Sequence, residues 1–273
     1  MRRAGRGGKQ KRGDRRVTMH NRRVLWQEGR VNRILLQRNE LRYDGTFAPE
    51  DARAQHILKV LHGTLGQSVK LGIVDGPKGV GVVGQVDGAR VVMACTWDPA
   101  PPPRPRVDLL LALPRPKVMR RLWAPLASLG VGTIIITNAA KVERNYFDAS
   151  ALDEATWTPL LLEGLTQASD TLLPRVHVRR RLRPLVEDEL AQLSDAHIRL
   201  VADPAGPARL IETRVAPSER ILLAVGPEGG WTPFEVELLQ TRGFSMVSVG
   251  TRILRTDTAC LALLGILSEI AAA

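Results

Sequence analysis

Two cysteines, Cys95 and Cys260, are all that this 273-residue sequence holds, with no CxxC pair and no cluster of cysteine and histidine. That scarcity excludes a disulfide framework and a structural zinc site, and each thiol reads as a small core residue. The five histidines, at His20, His56, His62, His177 and His197, show no metal-ligand spacing, so no metal is expected. Long apolar runs are missing too. The one at the C-terminus is broken by Glu269, and Arg2-Arg3 is not followed by the apolar core of an export signal, which makes a cytoplasmic protein the expectation. No repeat of solenoid length is visible.

What is present is an ordinary globular balance of 44% hydrophobic and 25% charged residues, in a chain long enough for two domains. The net charge of +11 is unevenly spread. Met1 to Arg33 carries 12 Lys and Arg against Asp14 and Glu28, leaving 27 basic and 26 acidic residues for everything else. A glycine-and-arginine segment of this kind suits a polyphosphate such as RNA, because each neutralised phosphate releases counterions. A flexible solubilising extension has the same composition. A mitochondrial presequence would need an apolar helical face, which the segment lacks.

Residues 1–30 are therefore read as a basic disordered tail. From Arg33-Ile34-Leu35-Leu36, a short strand, the chain becomes globular, with a helix over Ala52 to Leu61. Three valine-rich strands, Val69 to Val74, Gly79 to Val86 and Arg90 to Thr96, follow between glycine turns and suggest a small β-barrel. The proline run from Pro99 to Pro105 cannot continue a helix or a central strand, and it marks the border between a domain over 31–102 and another over 103–273. Past the border apolar strands alternate with amphipathic helices. Val107 to Ala112, Thr133 to Thr137, Ile198 to Ala202, Ile221 to Val225 and Met246 to Val249 read as strands; Lys117 to Leu129, Pro159 to Gln167, Val186 to Leu193 and Asp257 to Ile270 read as helices. Thr232-Pro233-Phe234-Glu235 is a capping box that opens another. Together they give a parallel α/β sheet.

Two loops stand out. Gly226-Pro227-Glu228-Gly229-Gly230 leaves the strand that ends at Val225, at the edge where open α/β sheets place ligands. It has neither the Gly-Lys-Ser/Thr of a P-loop nor the GxGxxG spacing of a dinucleotide site. The second loop, Val249 to Asp257, leaves the next strand and runs into the terminal helix, which Thr256 is placed to cap.

The pair GPEGG and RILRTDTA, one helix and one strand apart, resembles the signature of the RsmE family of ribosomal RNA uracil-N(3) methyltransferases in the SPOUT superfamily. The likeness extends through Leu111 to Lys117, Leu129-Gly130-Val131, Lys141 to Phe147, Gln167 to Pro174 and His56 to Leu61. It implies a PUA-like RNA-binding β-barrel over 31–102, a SPOUT domain with a deep trefoil knot over 103–273, and a homodimer. It also implies that S-adenosyl-L-methionine is held by Ala202, by Ala224, Val225, Gly226, Pro227, Glu228, Gly229 and Gly230, and by Val249, Gly250, Ile253 and Leu254. Arg255, Thr256 and Asp257 would lie nearest the reacting groups, and Arg33, His56, Lys59, Lys117, Lys141 and Arg144 would face RNA.

Uracil N(3) carries a proton and is a poor nucleophile until it leaves. A cation such as Arg255 would stabilise the developing anion on the uracil oxygens. Asp257 is read either as a proton acceptor or as a capping carboxylate. The chain departs from the family in having no arginine in Gln167-Ala168-Ser169-Asp170-Thr171 and in having Asp257 where glutamate is usual. The expected activity is N(3) methylation of a uridine in small-subunit ribosomal RNA. The alternatives are a knotted methyltransferase for another RNA such as transfer RNA, or an inactive RNA-binding assembly factor. Removing Met1 to Asn21 should weaken RNA binding and flatten its dependence on salt while leaving cofactor binding in place; equal slopes for the full-length and truncated chains would show that the tail does not touch phosphate.

Overall fold

The structure, a computed structural model, describes residues 33–60 and 64–272. The tail expected over 1–30, with His20, lies outside the described residues, as do Leu61 and His62.

The first sheet comprises β1 (Ile34–Leu36), β2 (Thr46–Phe47), β3 (Ser68–Ile73), β4 (Lys78–Asp87) and β5 (Arg90–Trp97), in the order β1-β3-β4-β5-β2. Only β1 and β3 pair in parallel; the other pairs are antiparallel. Along β4 the alternation of buried and exposed residues is that of a strand with one face on a core. The expected helix after Asp51 is a single turn, α1 (Ala52–Gln55), capped by the Asp51 side chain and continuing as a π turn over His56–Val60.

The second sheet holds β6 (Val107–Ala112), β7 (Val131–Thr137), β8 (Arg175–Arg179), β9 (Ile198–Ala202), β10 (Ala208–Arg209), β11 (Ile221–Val225) and β12 (Phe244–Ser248). Their order is β10-β12-β9-β11-β6-β7-β8, and every pairing is parallel. β6, β7 and β11 are buried at every position, as expected of central strands covered on both faces. The helices are α2 (Pro116–Ser128), α3 (Glu154–Ala168), α4 (Leu182–Pro184), α5 (Leu190–Leu193), α6 (Pro233–Thr241) and α7 (Thr256–Ala272), with a π turn over Leu185–Glu189 between α4 and α5. Among the described residues no helix is long and apolar enough to cross a membrane.

Two clusters of buried side chains correspond to the two sheets. β1 sits on the seam: Ile34 and Leu36 belong to the smaller cluster, while Leu35 between them belongs to the larger. Arg33, expected on an RNA-facing surface, is buried here instead. Its Nη1 donates to the carbonyl oxygens of Leu71 and Gly79, and its Nε donates to Ser169 O at 3.3 Å. Burial lowers its pKa against the pull of Asp98 and Asp170. A guanidinium whose donors are spent on buried carbonyls is unavailable to a phosphate. The buried Thr171 hydroxyl donates to Gly76 O at 2.7 Å, and Lys78 pairs with Asp170 at 3.2 Å, so the Gln167–Thr171 stretch fastens one sheet to the other.

Asp108, fully buried on β6, is held by Ser194 Oγ at 2.7 Å and Arg220 Nη2 at 2.9 Å near the amino edge of the sheet. Its charge is paired and hydrogen-bonded, the condition under which burial is tolerated. Helices α2 and α3 approach most closely at Gly164, where an added Cβ would run into the Ala124 carbonyl oxygen. Gly164→Ala should therefore lower stability by about 1–3 kcal/mol through overpacking; a urea midpoint unchanged from the parent would mean that the helices can move apart freely.

Candidate functional site

Parallel strands release their following loops at one edge. There β9 ends at Ala202, β11 at Val225 and β12 at Ser248, and their three exits enclose a cavity of about 370 Å³, within the roughly 300–1,000 Å³ range of small-molecule sites. Val225, Pro227, Trp231, Ile253, Leu254 and Leu263 supply apolar walls, and Gly226, Gly229 and Gly230 bring main chain to the cavity surface.

The loops brace one another. Thr256, the first residue of α7, directs its buried hydroxyl to Gly226 O at 3.5 Å, joining the second loop to the first. The helix-capping role anticipated for this side chain is not the contact it makes. Glu228 accepts the Arg115 N–H at 3.0 Å, and Lys141 Nζ donates to Gly229 O at 2.7 Å. The capping box forms as expected, with both reciprocal bonds between Thr232 and Glu235 in place. Buried Glu235 also accepts the Ala140 N–H at 2.7 Å, which ties the start of α6 to the loop after β7. Gly226 packs tightly, since a Cβ there would press on the Trp231 backbone and indole at 3.2 Å.

Of the residues expected at a cofactor site, Ala202, Val225, Gly226, Pro227, Glu228, Gly229, Gly230, Val249, Ile253 and Leu254 line this cavity. Ala224 and Gly250 do not: Ala224 is fully buried inside β11, and Gly250 is an exposed left-handed turn residue. Thr256 lines the wall. Arg255 lies outside it with 71% of its side chain exposed, and Asp257 also lies outside, 3.6 Å from Arg255 Nη2 and 3.4 Å from Arg121 Nη2. Asp257 additionally accepts the Thr258 N–H at 3.0 Å in the first turn of α7. Lys117, Lys141 and Arg144 are exposed along the same sheet edge, whereas His56 and Lys59 lie on the π turn of the other sheet's region, His56 half-buried and Lys59 exposed.

Sequence reading missed Asp203, Trp231 and Ala259, all in the cavity lining. Asp203 follows the expected strand end directly, and Thr256, Ala259 and Leu263 share a helical face at i, i+3 and i+7, a usable signal. The Trp231 indole Nε1 is buried and makes no hydrogen bond among the described residues. Walls that are largely apolar, with glycine backbone and the side chains of Asp203, Glu228 and Arg252 beside them, suit a ligand that is part heteroaromatic and part polar.

Residues 101–268 match the family described as the RNA methyltransferase domain. The chain belongs to that family. Among curated proteins it is similar to ribosomal RNA small subunit methyltransferase E of Treponema pallidum, 28% identical over 242 residues that cover 85% of this chain and 88% of that protein. It is also similar to ribosomal RNA small subunit methyltransferase E 1 of Borreliella burgdorferi, 25% identical over 85% of this chain and 95% of the relative. Both bear out the resemblance to the RsmE family drawn from the two loop motifs. Among solved structures, a ribosomal RNA small subunit methyltransferase E from Neisseria gonorrhoeae bound to S-adenosyl methionine superposes with a TM-score of 0.69 at 23% identity, covering 88% of this chain and 97% of that one. That likeness is one of fold. In this member of the RNA methyltransferase family the cavity lies wholly inside the matched region.

Burial, with Asp257 adding to it, pushes the thiol of Cys260 on α7 up to about 12, and burial also raises Cys95. In folded protein at mildly alkaline pH, Cys260 should be silent to a disulfide-exchange reagent and Cys95 should react slowly, both reacting at once in denaturant. Two native thiols reacting at equal rates would show that α7 does not pack against the loops as described.

Proposed function

We propose that this chain is an S-adenosylmethionine-dependent methyltransferase that modifies N(3) of a uridine in the small-subunit, 16S, ribosomal RNA. In this reading 103–273 is a SPOUT domain with a trefoil knot and 31–102 a PUA-like RNA-binding domain. The molecule works in the cytoplasm as a homodimer, whose second copy would cover the apolar groove between α2 and α7 lined by Leu122, Pro125, Leu261 and Ala262. The observation that carries the reading is the cavity itself: the two loops bearing the family's motifs line one volume.

The apolar walls and the open backbone of Gly226 to Gly230 would hold the adenosine, and Val249, Ile253 and Leu254 its other side. When bound, the cofactor supplies an electrophilic methyl on a sulfonium. The rest falls to the chain's own groups. The neutral uracil must give its N(3) proton to solvent water before N(3) can attack the methyl, and Arg255, exposed beside the cavity, would stabilise the negative charge that then spreads over the uracil oxygens. Asp257 sits between Arg255 and Arg121, which favours it as the anchor that aims Arg255. The Thr256 hydroxyl keeps the two loops at a fixed separation, so the reactants meet in line.

Calorimetric titration with S-adenosylmethionine, beside transfer assays on small-subunit RNA, tests this. The parent protein should bind and leave a methyl on uridine N(3), and Arg255→Ala should transfer about 100-fold more slowly while binding the cofactor as before. Folded protein that binds no S-adenosylmethionine would leave an RNA-binding assembly factor on a methyltransferase scaffold, and a methyl found only on transfer RNA would move the substrate.

A further inference from the structure

Because every strand of the seven-stranded sheet is parallel, the exits of β6, β7 and β8 open on the same edge as the cavity. Going outward from β11, the loop after β6 carries Arg115 and the first turn of α2 carries Lys117, the loop after β7 leads to Lys141 and Arg144, and the turn after β8 carries Arg180 and Arg181. β8 is the last strand on that side. At roughly 4.8 Å per strand step, the row extends about 14 Å from the cavity.

Most acids along the row are already engaged. Glu228 accepts the Arg115 N–H, the Tyr146 hydroxyl bonds Glu143 at 3.1 Å, and Asp148 pairs with Arg180 at 3.1 Å. Arg180 is further fixed by the Phe147 carbonyl oxygen at 3.1 Å and by lying over the Phe147 ring. Lys117, Arg144 and Arg181 are exposed, and among the described residues their side chains make no hydrogen bond or ion pair. Free guanidinium and ammonium groups set in a row are the complement of a phosphodiester chain, with arginine offering a paired fork to each phosphate.

We propose that this edge is a phosphate track that carries the single-stranded RNA flanking the modified nucleotide away from the cavity, with Arg181 at its outer end. The proposal rests on the RNA methyltransferase reading and adds the route of the substrate. It brings Arg180 and Arg181 to the RNA, two residues inside the matched region that belong to neither of the two motif loops. Stacking contacts are not needed for it; charge placed at loop exits suffices, so binding along the track should be sequence-tolerant and salt-dependent.

Arg175 provides the control. It lies at the opposite end of the same strand, exposed, and its side chain likewise makes no hydrogen bond or ion pair among the described residues. Arg181→Glu and Arg175→Glu therefore change the net charge equally at opposite edges of the sheet. Anisotropy titrations of a fluorescein-labelled oligouridylate across a range of salt would compare them with the parent and with Arg144→Glu, each first shown to melt like the parent. Arg181→Glu and Arg144→Glu should each weaken binding about tenfold and lower the slope of log K against log salt by about one, with Arg175→Glu close to the parent. Equal weakening by Arg175→Glu, or parental binding by Arg181→Glu, overturns the track while leaving the enzyme reading intact. A parent that neither binds the RNA nor transfers a methyl removes the reading on which the track depends.

Discussion

Since each strand of the seven-stranded sheet pairs only with parallel neighbours, the crossovers between its full-length strands have to bring the chain back to the amino edge before the next strand can begin, while the two-residue β10 starts level with the carboxyl end of β12. The cost of that arrangement is a sheet buried on both faces, visible in the unbroken burial of β6, β7 and β11. Its consequence is that every strand exit faces one way. Seven loops leave at the carboxyl edge, and chemistry that depends on several chain segments at once has only that place to assemble. The amino edge carries a structural arrangement by contrast, the Asp108, Ser194 and Arg220 cluster, whose charges are spent on one another.

The cavity is built more from backbone than from side chains, which explains how it holds its shape. A loop lined by glycine offers close approach but no stiffness of its own. Stiffness comes from neighbours: Lys141 on Gly229, Glu228 on Arg115, Glu235 on Ala140 and Thr256 on Gly226. Each bond joins two different strand exits, and none depends on a ligand. Individually such bonds contribute about 0.5–1.5 kcal/mol, too little to define the fold, yet together they restrict the motion of the two motif loops relative to each other. That is the form of preorganisation that a methyl transfer between two bound groups requires.

Much of this could be read in the sequence where local chemistry decides it. Ile221–Val225 is a continuous apolar run and Ile198–Ala202 one interrupted only by Arg199, and both strands fall where expected. The capping box is present with both bonds. β8 escaped because Arg175-Val176-His177-Val178-Arg179 alternates arginine and histidine with valine at an exposed sheet edge, a pattern far from a buried parallel strand. Helix α3 starts at Glu154, five residues before the proline that looked like its first residue; Pro159 sits inside the helix, where its missing N–H breaks no sequence pattern. Arg33 was misplaced for a different reason. Its partners, Leu71, Gly79 and Ser169, are distant in sequence, and nothing local distinguishes an arginine buried against carbonyls from one that waits for a phosphate.

The two departures from the family pattern gain a physical meaning from the same contacts. Gln167–Thr171, without arginine, gives its backbone and its threonine hydroxyl to the seam between the sheets, so positive charge there comes from Arg33 and Lys78 on the other side. Asp257 is a shorter carboxylate than glutamate, and it meets Arg121 and Arg255 at 3.4 and 3.6 Å, outside the cavity. Ion pairs this exposed contribute roughly 0–1 kcal/mol, so their value cannot be stability. What they can do is restrict orientation: a carboxylate flanked by two guanidinium groups limits the arc through which Arg255 swings. That carboxylate lies outside the cavity, whose lining holds the carboxylates of Asp203 and Glu228, so in the proposed reaction Asp257 serves the orientation of Arg255 and not proton removal.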